Sequence, residues 1–130
     1  MNTEVKLKLR DIFKSHSEIK LAYLFGSQVS GEIGPLSDFD FAFYADEREI
    51  KKLFDLKFIL MDEISRALKN DKIDVVILNL AESPELKYNI IKEGELIFSE
   101  EPFKILIEPR ILSEYFDFHD MLIRYRLTRA

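Results

Sequence analysis

Two hydrophobic periods alternate along this chain, one near 3.6 residues and one of two, and they divide it into elements. Val5, Leu9, Ile12 and Phe13 recur at helical spacing over residues 3–15, with Thr3 placed to cap. The short alternation from Val5 to Leu9 also fits a strand, but the longer window favours a helix. Lys20 to Phe25 reads as a strand that stops at Gly26-Ser27. A stretch with Gly31, Gly34 and Pro35 follows, read as a short helix or loop. Asp38 to Tyr44 is the next strand, with Phe39, Phe41 and Phe43 on one face. From Asp46 to about Lys69, Ile50, Leu53, Phe54, Leu60, Met61, Ile64, Ala67 and Leu68 form a broad stripe expected to pack on the sheet.

The second half continues the alternation of strand and helix. Ile73 to Leu78 is apolar at almost every position and is expected to be a central, buried strand. Ser83-Pro84-Glu85 reads as N-cap, proline at the first helical position and an acidic first turn. That helix should reach Glu93 and end at Gly94, with Leu96 to Phe98 as a short edge strand. Pro102 opens an apolar segment that Pro109 should break or kink. A last helix carries Leu112, Tyr115, Phe116, Met121, Leu122 and Tyr125 and ends in a basic tail. The expectation is an α/β (α+β) fold, a small mixed sheet flanked by helices, in a single domain over residues 1–130.

Composition narrows the function classes. A charged fraction of 33% with 47% hydrophobic residues indicates a folded, water-soluble chain. No apolar run is long enough to span a bilayer and the N-terminus lacks a signal-peptide core, so a cytoplasmic protein with no membrane contact is expected. With no cysteine and two isolated histidines, disulfides and thiolate sites are excluded and a zinc site is disfavoured. His16 and His119 read as structural or surface residues. A net charge of −5 argues against strong direct nucleic-acid binding.

The chemistry concentrates between Gly26 and Asp40. Residues two apart on a strand share a face, so Asp38 and Asp40 point the same way. Two carboxylates held side by side repel unless a cation lies between them. Oxygen donors of this kind suit Mg²⁺, which takes its other ligands from water and substrate phosphates. Gly26 lets the backbone approach a phosphate, and Ser27 adds a hydroxyl at an expected helix N-terminus, where exposed N–H groups attract anions. The stretch therefore reads as a metal and nucleoside-triphosphate site.

Gly26-Ser27, ten intervening residues and Asp38-Phe39-Asp40 resemble the signature of the DNA polymerase β-like nucleotidyltransferases. The closest resemblance is to the minimal nucleotidyltransferases, small proteins often encoded beside a HEPN-domain partner. It extends through Ala81 to Leu86 and Ile90 to Phe98. The resemblance implies a polymerase β-like fold with Asp74 as the third acidic residue. An aspartate interrupting an apolar strand independently favours a ligand role, because a buried carboxylate is costly unless paired. The resemblance further implies catalytic and metal-binding roles for Asp38, Asp40 and Asp74, nucleotide binding by Gly26 and Ser27, two Mg²⁺ ions, and ATP as substrate. The implied function is that of an antitoxin transferring AMP to a tyrosine of a HEPN ribonuclease toxin. Rival readings are a non-catalytic antitoxin acting by occlusion and a small-molecule nucleotidyltransferase. A hetero- or homo-oligomer is compatible with either. Exposed aromatics near the C-terminus, such as Tyr115, Phe118 and Tyr125, would serve a partner surface or pack the last helix onto its own domain.

Overall fold

A four-stranded mixed sheet divides two helical layers in the computed structural model, which describes residues 3–26 and 39–125. In chain order the elements are α1 (Thr3–Ser15), β1 (Ile19–Phe25), β2 (Phe39–Ala45), α2 (Ile50–Leu68), β3 (Ile73–Ile77), α3 (Pro84–Glu93), β4 (Glu95–Ser99) and α4 (Phe103–Arg124). The sheet order is β3-β2-β1-β4. β1 runs antiparallel to both β2 and β4, whereas β2 and β3 are parallel. A parallel pair needs a crossover, and the 19-residue helix α2 supplies it.

The strands' period of two builds two cores. On one face Ala22, Leu24, Phe41, Phe43, Val75 and Ile77 meet Leu9 and Phe13 of α1 and Leu53, Leu56, Leu60 and Ile64 of α2. The Phe13 and Phe43 rings meet edge to face at 5.2 Å, a geometry that adds to simple burial. His16 fastens the same layer: its Nε2 lies 2.9 Å from Glu63 Oε2 on α2, a structural role as its sequence context suggests. On the other face Leu21, Tyr23 and Ala42 pack with Leu78, Ile90 of α3 and Ile107 and Ile111 of α4.

Tyr23 ties the second layer to the sheet by more than packing. Its hydroxyl donates to Glu108 Oε2 on α4 at 2.6 Å, and Lys104 Nζ lies 3.4 Å from the same carboxylate. Burial, then the bond to Glu108 and its negative charge, push the phenol well above its usual pKa. At the start of α3, the Ser83 hydroxyl accepts from Leu86 N–H, with Pro84 in the first turn, as expected. Gly94 follows Glu93 where the chain turns into β4. A Cβ there would collide with the Ile90 carbonyl oxygen and approach that of Leu24 to 3.2 Å.

Four expectations are corrected. β3 is an edge strand, not a central one. Its apolar run arises because α2 covers Ile73, Val75 and Ile77 while Leu78 enters the second core, so burial comes from the two faces. Asp74, between two of the α2-facing positions, is exposed rather than buried. Pro109 does not break the last helix, which runs unbroken through it. The carbonyl that Pro109 deprives of a helical donor belongs to Ile105, which is 71% exposed, so water can satisfy it. Finally, the α2 stripe does not all pack on the sheet: Ile50 and Phe54 stay exposed. Among the described residues, no helix is long and apolar enough to cross a membrane.

Candidate functional site

The end of the sheet where β1 finishes and β2 and β3 begin gathers three residues singled out by sequence. Asp40 is the register partner of Phe25 on β1 and of Asp74 on β3. Gly26 directly follows Phe25 and turns back over Asp40. The three therefore lie in a row across neighbouring strands: the Gly26 turn, then Asp40, then Asp74.

Gly26 has a local reason to be glycine. Its φ is +77°, a left-handed conformation that side-chain-bearing residues rarely adopt. A Cβ at this position would also overlap the Asp40 carboxylate, with Oδ2 its nearest atom. Turn and carboxylate are thus packed as one unit, and only a residue without a side chain fits between them.

Asp40 and Asp74 stand directly opposite each other across a parallel pair, where strands lie about 4.8 Å apart and opposed side chains share a face. Asp40 is half-buried and Asp74 exposed. Two carboxylates side by side on one face of neighbouring strands are the donor chemistry of a hard divalent cation such as Mg²⁺. The residues present fit such an ion. Ser27 and Asp38, the other two site residues expected from sequence, lie outside the described residues.

A feature that sequence reasoning missed adjoins Asp74. A groove of about 330 Å³ runs beside β3, lined by Phe54 and Lys57 of α2, Asp74 and Val76, and Leu80 and Leu86. Phe54 is 45% and Leu86 37% exposed. In the sequence Phe54 is indistinguishable from the core stripe of α2, because helical spacing alone does not tell the rim of an apolar face from its centre. Of the C-terminal aromatics, Tyr115 stacks on Tyr88 of α3 at 3.9 Å, Phe118 is half-buried and Tyr125 is exposed. One thus packs the helix home, and Tyr125 remains available for contact.

Residues 7–103 match the family described as polymerase beta, nucleotidyltransferase. Among curated proteins, none matches the chain significantly. Several solved structures share its fold. A Shewanella oneidensis complex of a tri-AMPylated HEPN toxin with an MNT antitoxin matches at 20% identity and TM-score 0.73, covering 96% of this chain and 95% of that one. A toxin–antitoxin complex with AMP-PNP matches at 21% identity and TM-score 0.74, covering 92% and 94%. The MntA–HepT toxin–antitoxin complex matches at 20% identity and TM-score 0.72, covering 95% of each chain.

Proposed function

Because this chain belongs to the polymerase beta nucleotidyltransferase family, we propose that it is a Mg²⁺-dependent protein adenylyltransferase, an antitoxin that moves AMP from ATP to a tyrosine of a HEPN toxin. The observation that carries the reading is the row of Gly26, Asp40 and Asp74, a tight left-handed turn packed against one carboxylate with a second as its neighbour on the next strand. Support for the nucleotide and the partner comes from the fold neighbours, one a complex with AMP-PNP and another a tri-AMPylated HEPN toxin with its MNT antitoxin.

In this reading Asp38, Asp40 and Asp74 would hold one or two Mg²⁺ ions. The ions supply charge neutralisation at the phosphates and at the attacking oxygen. Gly26 and Ser27 hold the β- and γ-phosphates through backbone N–H groups and one hydroxyl. The phenolic oxygen attacks the α-phosphorus in line, and a new O–P bond forms. The bond to the bridging oxygen breaks and pyrophosphate leaves with its electron pair. The phenolic proton passes to water or to Asp74, the exposed carboxylate. A phenol suits this step, since its pKa near ~10 is well below that of an aliphatic alcohol.

Co-expression of the HEPN partner with wild type and with Asp40→Asn, followed by intact-mass measurement, tests the proposal. Adducts of AMP are expected on the partner with wild type only. A second reading, neutralisation by occlusion, draws on the exposed apolar residues of α4, among them Ile105, Phe116 and Ile123. A partner left unmodified yet neutralised equally by both forms would establish occlusion and overturn the enzymatic reading.

A further inference from the structure

We infer that the groove beside β3 is the acceptor-docking subsite, taking an apolar or aromatic side chain next to the hydroxyl that receives the nucleotide. The inference rests on the proposed function, and it adds which surface chooses the acceptor. It starts from lateral order. The sheet places Gly26 of the β1 turn, then Asp40, then Asp74, and the groove lies beyond Asp74. The phosphate-type turn occupies one end of this row, so donor and acceptor have opposite ends to approach from. An in-line displacement requires that separation, because entering and leaving oxygens lie on opposite sides of phosphorus. Asp74 is itself part of the groove wall, so a side chain seated there holds its chain beside the carboxylate.

The groove's chemistry selects a protein segment. Its lining is mainly apolar, with Phe54, Val76, Leu80 and Leu86, and Lys57 adds a positive charge. Such a surface offers a nucleic-acid acceptor little to bind, because phosphate contacts require a cluster of cations. The volume, about 330 Å³, is at the low end of ligand pockets, roughly 300–1,000 Å³, which suits one side chain and its neighbours. Phe54 of α2 and Leu86 of α3 both line the groove, and their exposure leaves apolar surface whose burial would favour docking. A second copy of this chain seated here would cover Asp74 and close the reaction centre.

The test compares Phe54→Asp, Leu86→Asp and the conservative Phe54→Leu with wild type, using the purified HEPN partner as acceptor. Both sites are surface-exposed, and circular dichroism checks that the variants fold. Phe54→Asp and Leu86→Asp should each raise the KM for the partner about tenfold, while the KM for ATP and AMP-PNP binding with Mg²⁺ stay within about twofold. Phe54→Leu should behave as wild type. AMP transfer to N-acetyl-tyrosinamide, which has no flanking side chains, should be equal in all four proteins. If wild type and both charged variants modify the partner equally, the groove is not the acceptor subsite. An equal rise in the KM for ATP would assign the groove to the nucleotide, and a concentration-dependent dimer lost in Phe54→Asp would assign it to a second copy; either overturns the inference. Failure of wild type itself to transfer AMP, with AMP-PNP still bound, would instead overturn the proposed function on which the inference rests.

Discussion

Asp40 and Asp74 face each other as register partners in the parallel pair of β2 and β3. They come from strands separated by the whole of α2, yet the crossover delivers them to adjacent positions on one face. Shared ligation makes each indispensable in the proposed reaction. Asp40→Asn and Asp74→Asn should each lower nucleotide transfer by more than the roughly 10–100-fold lost when outer-shell partners of a metal site are changed. Steady-state rates with saturating Mg²⁺ measure this. Transfer at near wild-type rate by either variant would remove that residue from the ligand set.

Gly26→Ala combines two faults at one position. The left-handed backbone costs a side-chain-bearing residue about 1–2 kcal/mol, and the new methyl must push the Asp40 carboxylate aside. Stability should fall by about that amount in a denaturant titration, and transfer should fall more than about tenfold. A variant that loses stability but keeps full activity would show that the Asp40 position tolerates displacement.

Ser27→Ala tests the phosphate turn without touching the carboxylates. A hydrogen bond to a charged group contributes about 1.5–3 kcal/mol, so kcat/KM for the nucleotide should drop roughly ten- to hundredfold with Mg²⁺ dependence unchanged. Unchanged kinetics would place the triphosphate elsewhere.

Tyr23 predicts an alkaline limit to stability. Its phenol is held above the usual value by burial and by Glu108, so the folded state keeps a proton that the unfolded chain releases above about pH 10. The contribution is complete below that pH and fades as pH rises beyond it. Tyr23→Phe should cost about 1.5–3 kcal/mol at neutral pH, because Glu108 loses its phenol donor, and should flatten the loss of stability above about pH 10. Urea melts at pH 8 and at pH 10.5 compare the two; parallel losses in both proteins would contradict the assignment.

Local signals carried most of the fold. The helices announce themselves by period, cap and stop: Leu9 and Phe13 in α1, Ser83 and Pro84 at the start of α3, Gly94 after it. The strands announce themselves by alternation, as with Phe41 and Phe43. These are contacts within a few residues, and residue type alone expresses them. The Gly26 turn and the Asp40 position were legible for the same reason, since a turn and a strand start are local events.

What tertiary structure decided depends on distant neighbours. An apolar strand such as Ile73–Ile77 reads the same at the centre of a sheet and at an edge roofed by a helix, and the pairing order put it at the edge with Asp74 exposed. Phe54 belongs by spacing to the same broad stripe as Leu53 and Leu60, but it lies at the rim of the face that α2 turns to the sheet, leaving the ring on a groove wall. Pro109 carries a helix-breaking signal, yet Ile107 and Ile111 pack on either side of it into the second core, and the exposed position of Ile105 lets water satisfy the freed carbonyl. The sequence thus determined which residues are strand, turn and carboxylate, because those choices are local. Which carboxylates meet, and which apolar side chains remain uncovered beside them, follows from the order in which strands pair and helices cross over, an outcome of long-range packing that no window of the chain contains.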